Sequence, residues 1–186
     1  SATIPVAFST AWFALAEVAR LRAGETVLIH GAVGGVGQAA IQIARSIGAR
    51  VIATAGNDER RHLALALGAE AVYDSRSLDF ADQIRVAHGG IDVVLNSLAG
   101  EAMRATFRLL RPFGRFIELG KRDFVENRRT PLRPFRRNVS YFAVDADALP
   151  RARPELAAAL LADIAARLAD GALLALPHAV FAAEET

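Results

Sequence analysis

The chain has no cysteine, and only one of its 22 Lys and Arg residues, Lys121, is a lysine. Without cysteine there is no disulfide framework and no thiolate metal site, and a reducing, cytoplasmic compartment is the default. Long apolar runs are also missing. None approaches the roughly 20 residues that span a bilayer. Residues Ser1 to Val6 show neither the basic segment nor the apolar core of a secretory leader. Charge is nearly balanced, at +2. A nucleic-acid partner would call for a basic stripe interleaved with aromatics. The nearest approach is the Pro-broken stretch Arg128 to Arg137, where Arg128, Arg129, Arg133, Arg136 and Arg137 crowd together. It reads as a solvated loop rather than a polyanion site.

What is present is apolar and alternating. With 53% apolar residues over 186 positions the chain is neither disordered nor a tail, and it fits one domain. Short β-branched runs alternate with longer helical patterns, the signature of βαβ units. Strands are expected at Thr26 to His30, Arg50 to Ala55, Ala71 to Tyr73, Ile91 to Asn96, Gly114 to Leu119 and Val139 to Val144. Helices are expected at Phe8 to Arg20, Val36 to Ile47, Glu59 to Leu67, Asp79 to Ala87, Glu101 to Leu110 and Pro154 to Ala169. Trp12 and Phe13 read as core. The fold class is therefore α/β, a Rossmann-type doubly wound, mostly parallel sheet with helices on both faces. Nothing precedes the first helix to pack against it, and the chain stops on the polar Ala182 to Thr186. Both ends suggest a single domain excised from something longer.

The sharpest local signal is Gly31-Ala-Val-Gly-Gly-Val-Gly37, between a strand and a helix. A pyrophosphate needs backbone N–H groups that it can approach closely, which side chains would block, and the helix N-terminus adds positive potential. Gly31, Gly34, Gly35, Val36 and Gly37 are therefore expected to bind a dinucleotide. The strand Arg50 to Ala55, with Thr54 near its end, lacks the acid that would bind a ribose 2′-hydroxyl. Arg60, Ser75 and Arg76 follow nearby, and an arginine fork suits a 2′-phosphate. These residues favour NADPH, provided Asp58 and Glu59 are first-turn helix acids rather than ribose ligands. His30 reads as a packed histidine. His62, His88 and His178 are too scattered for metal ligation. Ser97 has no nucleophile-elbow context.

Asn96-Ser-Leu-Ala-Gly-Glu101, Gly120-Lys-Arg-Asp123 and Ser75-Arg-Ser-Leu-Asp-Phe80 carry a more specific likeness. The chain resembles the nucleotide-binding half of an enoyl reductase domain from a modular polyketide synthase, in the quinone oxidoreductase-like, medium-chain dehydrogenase/reductase superfamily. The resemblance implies NADPH-dependent reduction of a trans-2-enoyl thioester on an acyl carrier protein. Hydride goes to the β-carbon and a proton to the α-carbon. It implies neighbouring synthase domains as partners, no metal, and a homodimer formed through a sheet edge. Lys121 is the expected catalytic residue, with Asp145 as its acidic partner. A surface lysine paired with Asp123 is the competing reading. Asn96, Ser97 and Leu98 are expected to line the nicotinamide side of the crevice, and Gly120 to bind the cofactor as well. Two other functions remain open at this point. One is a free-standing quinone or small-enone reductase, and the other is a non-catalytic NADPH-binding or dimerisation module.

Overall fold

The computed structural model describes residues 3–127 and 132–177, except the side chains of 3, 4, 123 and 124. Arg128, Arg129, His178 and the polar end at 182–186 lie outside the described residues. The strands are β1 Thr26–Ile29, β2 Arg50–Ala55, β3 Ala71–Asp74, β4 Ile91–Asn96, β5 Leu110–Glu118 and β6 Ser140–Ala143. The helices are α1 Thr3–Trp12, α2 Gly35–Ile47, α3 Asp58–Ala66, α4 Asp79–His88, α5 Glu101–Leu109, α6 Arg122–Val125, α7 Leu149–Ala152 and α8 Pro154–Ala169. The sheet runs β3-β2-β1-β4-β5-β6, and every pairing is parallel. The expected doubly wound α/β fold is present.

Why these runs become central strands is visible in their burial. Val27, Leu28 and Ile29 of β1 are all fully buried, because successive side chains enter opposite apolar layers. Val27 and Ile29 pack with α1, α2, α3 and α8. Leu28, Ile52, Val94 and Phe116 pack with α4 and α5. Parallel strands need a crossover between them, and glycines end two of those helices in the left-handed region: Gly48 at φ +86° and Gly89 at φ +70°.

Besides the short unexpected helices α6 and α7, two expected elements have different bounds. The first helix starts earlier, at Thr3, and ends in a widened π-type segment, Phe13–Val18. It buries Phe8, Ala11, Trp12, Ala14 and Leu15. Trp12 is core as expected, and the Arg167 guanidinium sits 4.4 Å from its ring centroid. The fifth strand begins at Leu110, directly after α5, rather than at Gly114. Leu110 pairs with Ile91, and the register then shifts before Arg115 meets Val93. The extra residues are taken up around Pro112 and Phe113, whose φ is +64°. A proline is tolerated in a sheet where the ladder is interrupted in this way.

Candidate functional site

Ligands of open α/β sheets bind beyond the carboxyl ends of the strands, where the strand order reverses. Here that point lies between β1 and β4. The Gly31 to Gly37 loop leaves β1 there. Gly31 takes φ +63°, and its carbonyl accepts from the Gly34 N–H at 3.0 Å. The side chain of Gln38 donates to the Val33 carbonyl at 2.8 Å and braces the loop. A Cβ at Gly37 would lie 2.4 Å from the Gly31 oxygen, so the loop and the first turn of α2 close without space. Gly31, Gly34 and Gly35 are exposed, Val36 is half-buried, and no side chain caps α2. The result is an open, glycine-faced cradle of the shape a pyrophosphate would fill. Ser97 comes in from the tip of β4. Its hydroxyl is exposed, and a Cβ on Gly31 would meet it at 3.1 Å.

At the tip of β2 the arginines divide. Arg76 and Ser75 lie across Gly56, where an added Cβ would find Arg76 Nε at 3.2 Å and Ser75 Oγ at 3.6 Å. Arg60 is exposed on the first turn of α3, and its N–H donates to Asn57 Oδ1 at 2.9 Å. Arg61 is taken up by Asp58 and by Asp74 at 3.5 Å. Asp58 and Glu59 do stand in the first turn of α3.

Two of the expected cofactor-binding residues have side chains that are already buried and bonded within the fold. Thr54 is fully buried, and its hydroxyl is committed to His30 Nδ1 at 2.8 Å. Asn96 is also fully buried. Its Nδ2 donates to the Leu98 carbonyl at 2.7 Å and to Glu118 Oε2 at 2.6 Å, and its Oδ1 accepts from the Leu98 N–H at 3.3 Å. Both shape the crevice from behind. Leu98 is half-buried at the turn that Asn96 holds.

His30 is a packed histidine, and its tautomer follows from its partners. Thr106 donates its only hydroxyl proton to the Ala102 carbonyl at 2.8 Å. His30 Nε2–H must therefore donate to Thr106, at 3.0 Å, and Nδ1 accepts from Thr54. The neutral ring thus ties β1 to the end of β2 and to α5. Burial pushes its pKa down from 6.5 to about 3. The unfolded chain takes up that proton below about pH 6.5 and the fold does not, so this contribution to stability is present above that pH. It drains as pH falls toward 3, at about 1.4 kcal/mol per pH unit. Urea midpoints at pH 7 and pH 5 should show a loss of about 2 kcal/mol that His30→Gln lacks.

Glu118, buried at the end of β5, joins the tips of two strands. It accepts from Asn96 and, at 2.6 Å, from the Gly120 N–H. A Cβ at Gly120 would strike Glu118 Oε1 at 2.7 Å. That contact sets the turn from which Lys121 projects. Lys121 Nζ lies 3.1 Å from Asp145 Oδ1 and 3.3 Å from Asp147 Oδ2. Hydrogen bonding to Asp145, then to Asp147, holds the ammonium pKa above its ordinary value. Asp145 also accepts from the Asp147 N–H at 3.3 Å, so it caps the turn and pairs with the lysine at once. The sequence pairing of Lys121 with Asp145 is present, and Asp147 joins it as a second partner. A cavity of about 720 Å³ beside Arg20, Glu25, Phe113 and Arg115 lies at the opposite ends of the strands, away from these groups.

A family model of zinc-binding dehydrogenases matches residues 35–160. A mycocerosic acid synthase-like polyketide synthase of Mycobacterium tuberculosis is 48% identical over 175 residues, which are 93% of this chain and 8% of that protein. The nucleotide-binding subdomain of the enoyl reductase domain of PpsC from Mycobacterium tuberculosis superposes with a TM-score of 0.87 at 48% identity. That match covers 93% of this chain and 98% of the other. The chain belongs to the enoyl reductase branch of the zinc-binding dehydrogenase family. A quinone oxidoreductase from Thermus thermophilus, whose structures include a complex with NADPH, shares the fold more distantly. Its TM-score is 0.73 at 33% identity, over 93% of this chain and 52% of that one.

Zinc, which the family's description mentions, finds no ligand set among the described residues of this chain. The chain has no cysteine. Among the described residues no group of three or more His, Asp or Glu side chains gathers to hold a metal. Asp145 and Asp147, which converge near the crevice, share a lysine. Among the described residues no helix is long and apolar enough to cross a membrane.

Proposed function

We propose that this chain holds NADPH for an enoyl reductase domain of a modular polyketide synthase. In that domain a trans-2-enoyl thioester on an acyl carrier protein is reduced. One observation carries the cofactor reading. Ser75 and Arg76 fold over Gly56 at the tip of β2, a strand that itself ends without an acid, on the same rim as the exposed glycine cradle. A 2′-phosphate would meet a guanidinium and a hydroxyl there, and the glycine loop would take the pyrophosphate. The NADPH complex of the quinone oxidoreductase supports the same reading.

NADPH, when bound, supplies the hydride that goes to the β-carbon of the enoyl thioester. The chain's own part is electrostatic. Electron density moves to the thioester oxygen as the β-carbon is attacked, and an ammonium at the crevice stabilises it. That work is assigned to Lys121, and the reading is supported by Asp145 and Asp147 holding its Nζ at 3.1 and 3.3 Å. Two carboxylates make the ammonium a weaker acid, which favours charge stabilisation over proton donation as its main role. Protonation at the α-carbon completes the reaction. Ser97, exposed beside Gly31, and Leu98 line the nicotinamide side, and Gly120 lets the lysine loop close on Glu118. A homodimer through the β6 edge and a cytoplasmic location belong to the same reading.

Calorimetric titration with NADPH and NADH tests it. NADPH should bind at least about tenfold tighter than NADH, a difference of ~1.4 kcal/mol. Arg76→Ala should remove most of that preference by weakening NADPH alone, and Arg60→Ala should remove less. Equal binding of both cofactors by the parent chain would sink the arginine assignment.

A further inference from the structure

A groove of about 640 Å³ runs between α5 and the turn Arg133–Arg137, lined by Arg104, Phe107, Arg108, Arg133, Arg136 and Arg137. Arg104 and Arg108 stand one turn apart on a single face of α5, an arrangement that costs a helix a few tenths of a kcal/mol. Nothing nearby relieves it. No carboxylate lines the groove, and none of the described acids pairs with Arg104, Arg108, Arg133 or Arg136. Elsewhere Arg50, Arg61, Arg85, Arg111 and Arg115 each rest against an acid.

The backbone segments that carry the four arginines are also braced against each other. Phe107, on the floor, stacks on Phe116 at 4.0 Å between centroids and meets Phe135 of the facing turn at 5.8 Å. Arg137 donates to the Leu110 carbonyl at 2.7 Å and straps that turn to the end of α5. Ordering such a surface on binding therefore costs little. Its position matters too. Arg104 lies about one helical turn, roughly 5 Å, below the loop that forms the crevice at the start of α5.

We propose that this groove docks an acidic protein surface. On the reductase reading above, on which this step rests, that surface belongs to the carrier protein presenting the thioester. The chemistry separates it from a nucleic-acid site. Phe107 is only 2% exposed, so no aromatic face is offered for a base to stack on, whereas Leu132, beside Arg133, is 77% exposed and suits a protein contact.

The test is titration of the chain with an acyl carrier protein lacking its prosthetic arm, at two ionic strengths. Binding should weaken with salt, and Arg104→Glu with Arg108→Glu should weaken it about tenfold or more while NADPH binding stays unchanged. Arg133→Glu with Arg136→Glu, outside any regular helix, should give the same loss and serves if the α5 variant folds poorly. Carrier binding that survives both pairs, no carrier binding at all, or displacement of the carrier by a duplex oligonucleotide would overturn the proposal. A parent chain that binds carrier but no NADPH would sink the reductase reading and leave the groove standing.

Discussion

Alanine at Gly37 is expected to abolish measurable NADPH binding and to cost the fold about 1–3 kcal/mol. The added Cβ would sit 2.4 Å from the Gly31 oxygen and 2.7 Å from both Cα and C of Ala32. All three are backbone atoms, so no side chain can swing aside. Relief requires α2 to move away from the loop. That motion is resisted because Ala39, Ala40, Ile41, Ile43 and Ala44 of the same helix are fully buried. The cradle would widen at the point where phosphate oxygens must meet several N–H groups together. Gly35→Ala is the matched control. Its Cβ would find only Ala7 Cβ at 3.7 Å and Leu176 Cδ1 at 3.9 Å, ordinary contacts, and alanine gains up to about 1 kcal/mol of helix propensity. Thermal unfolding should therefore separate the two variants, with Gly37→Ala lowered and Gly35→Ala unchanged or raised. Calorimetry with NADPH then reports on the cradle. Full-strength binding by Gly37→Ala would mean that the cofactor does not use this loop.

The glycine loop was legible because its information is local: a strand, seven residues and a helix in unbroken sequence. The doubly wound, parallel class of the sheet followed from the alternation of short apolar runs and helical patterns, which is local too. Side-chain orientation did not. Thr54 and Asn96 stand near the carboxyl ends of β2 and β4, where a ligand was expected, yet both are fully buried and bonded inward. Periodicity places a residue on a strand but does not show which way the last one turns when the neighbouring tips close over it. Glu118 was missed because an acid at a strand end reads as solvated. Only its contacts with Asn96 and Gly120 reveal its place in the fold. Its signal in sequence was a lone carboxylate closing the apolar run Phe116-Ile117. Asp147 escaped because it enters through the short turn that Asp145 caps. The arginine groove was illegible for a different reason. Arg133 and Arg136 read as loop, and nothing local announces that Arg104 and Arg108 face them.

Lys121→Met in the intact enoyl reductase domain is expected to lower kcat by about a hundredfold or more, with Kd for NADPH within about twofold of the parent. Methionine keeps most of the unbranched stem and removes the ammonium with its charge and its donors. The loss then measures what the ammonium contributes as negative charge develops on the thioester oxygen. Its exposure, 61% for the side chain, argues that the fold does not need it, so thermal stability should be unchanged. The pairing with Asp145 and Asp147 makes a second measurement informative. Because the lysine pKa is held above 10.5, the parent should show no alkaline loss of rate from this group below that value. In Asp145→Asn with Asp147→Asn the limb should move down toward the ordinary lysine range, since two stabilising partners are gone. Lys121→Arg decides between the two chemical roles. Arginine carries the charge but does not give up a proton, so substantial recovery of kcat identifies Lys121 as an electrostatic stabiliser. A rate as low as that of the methionine variant would instead assign it the α-carbon proton.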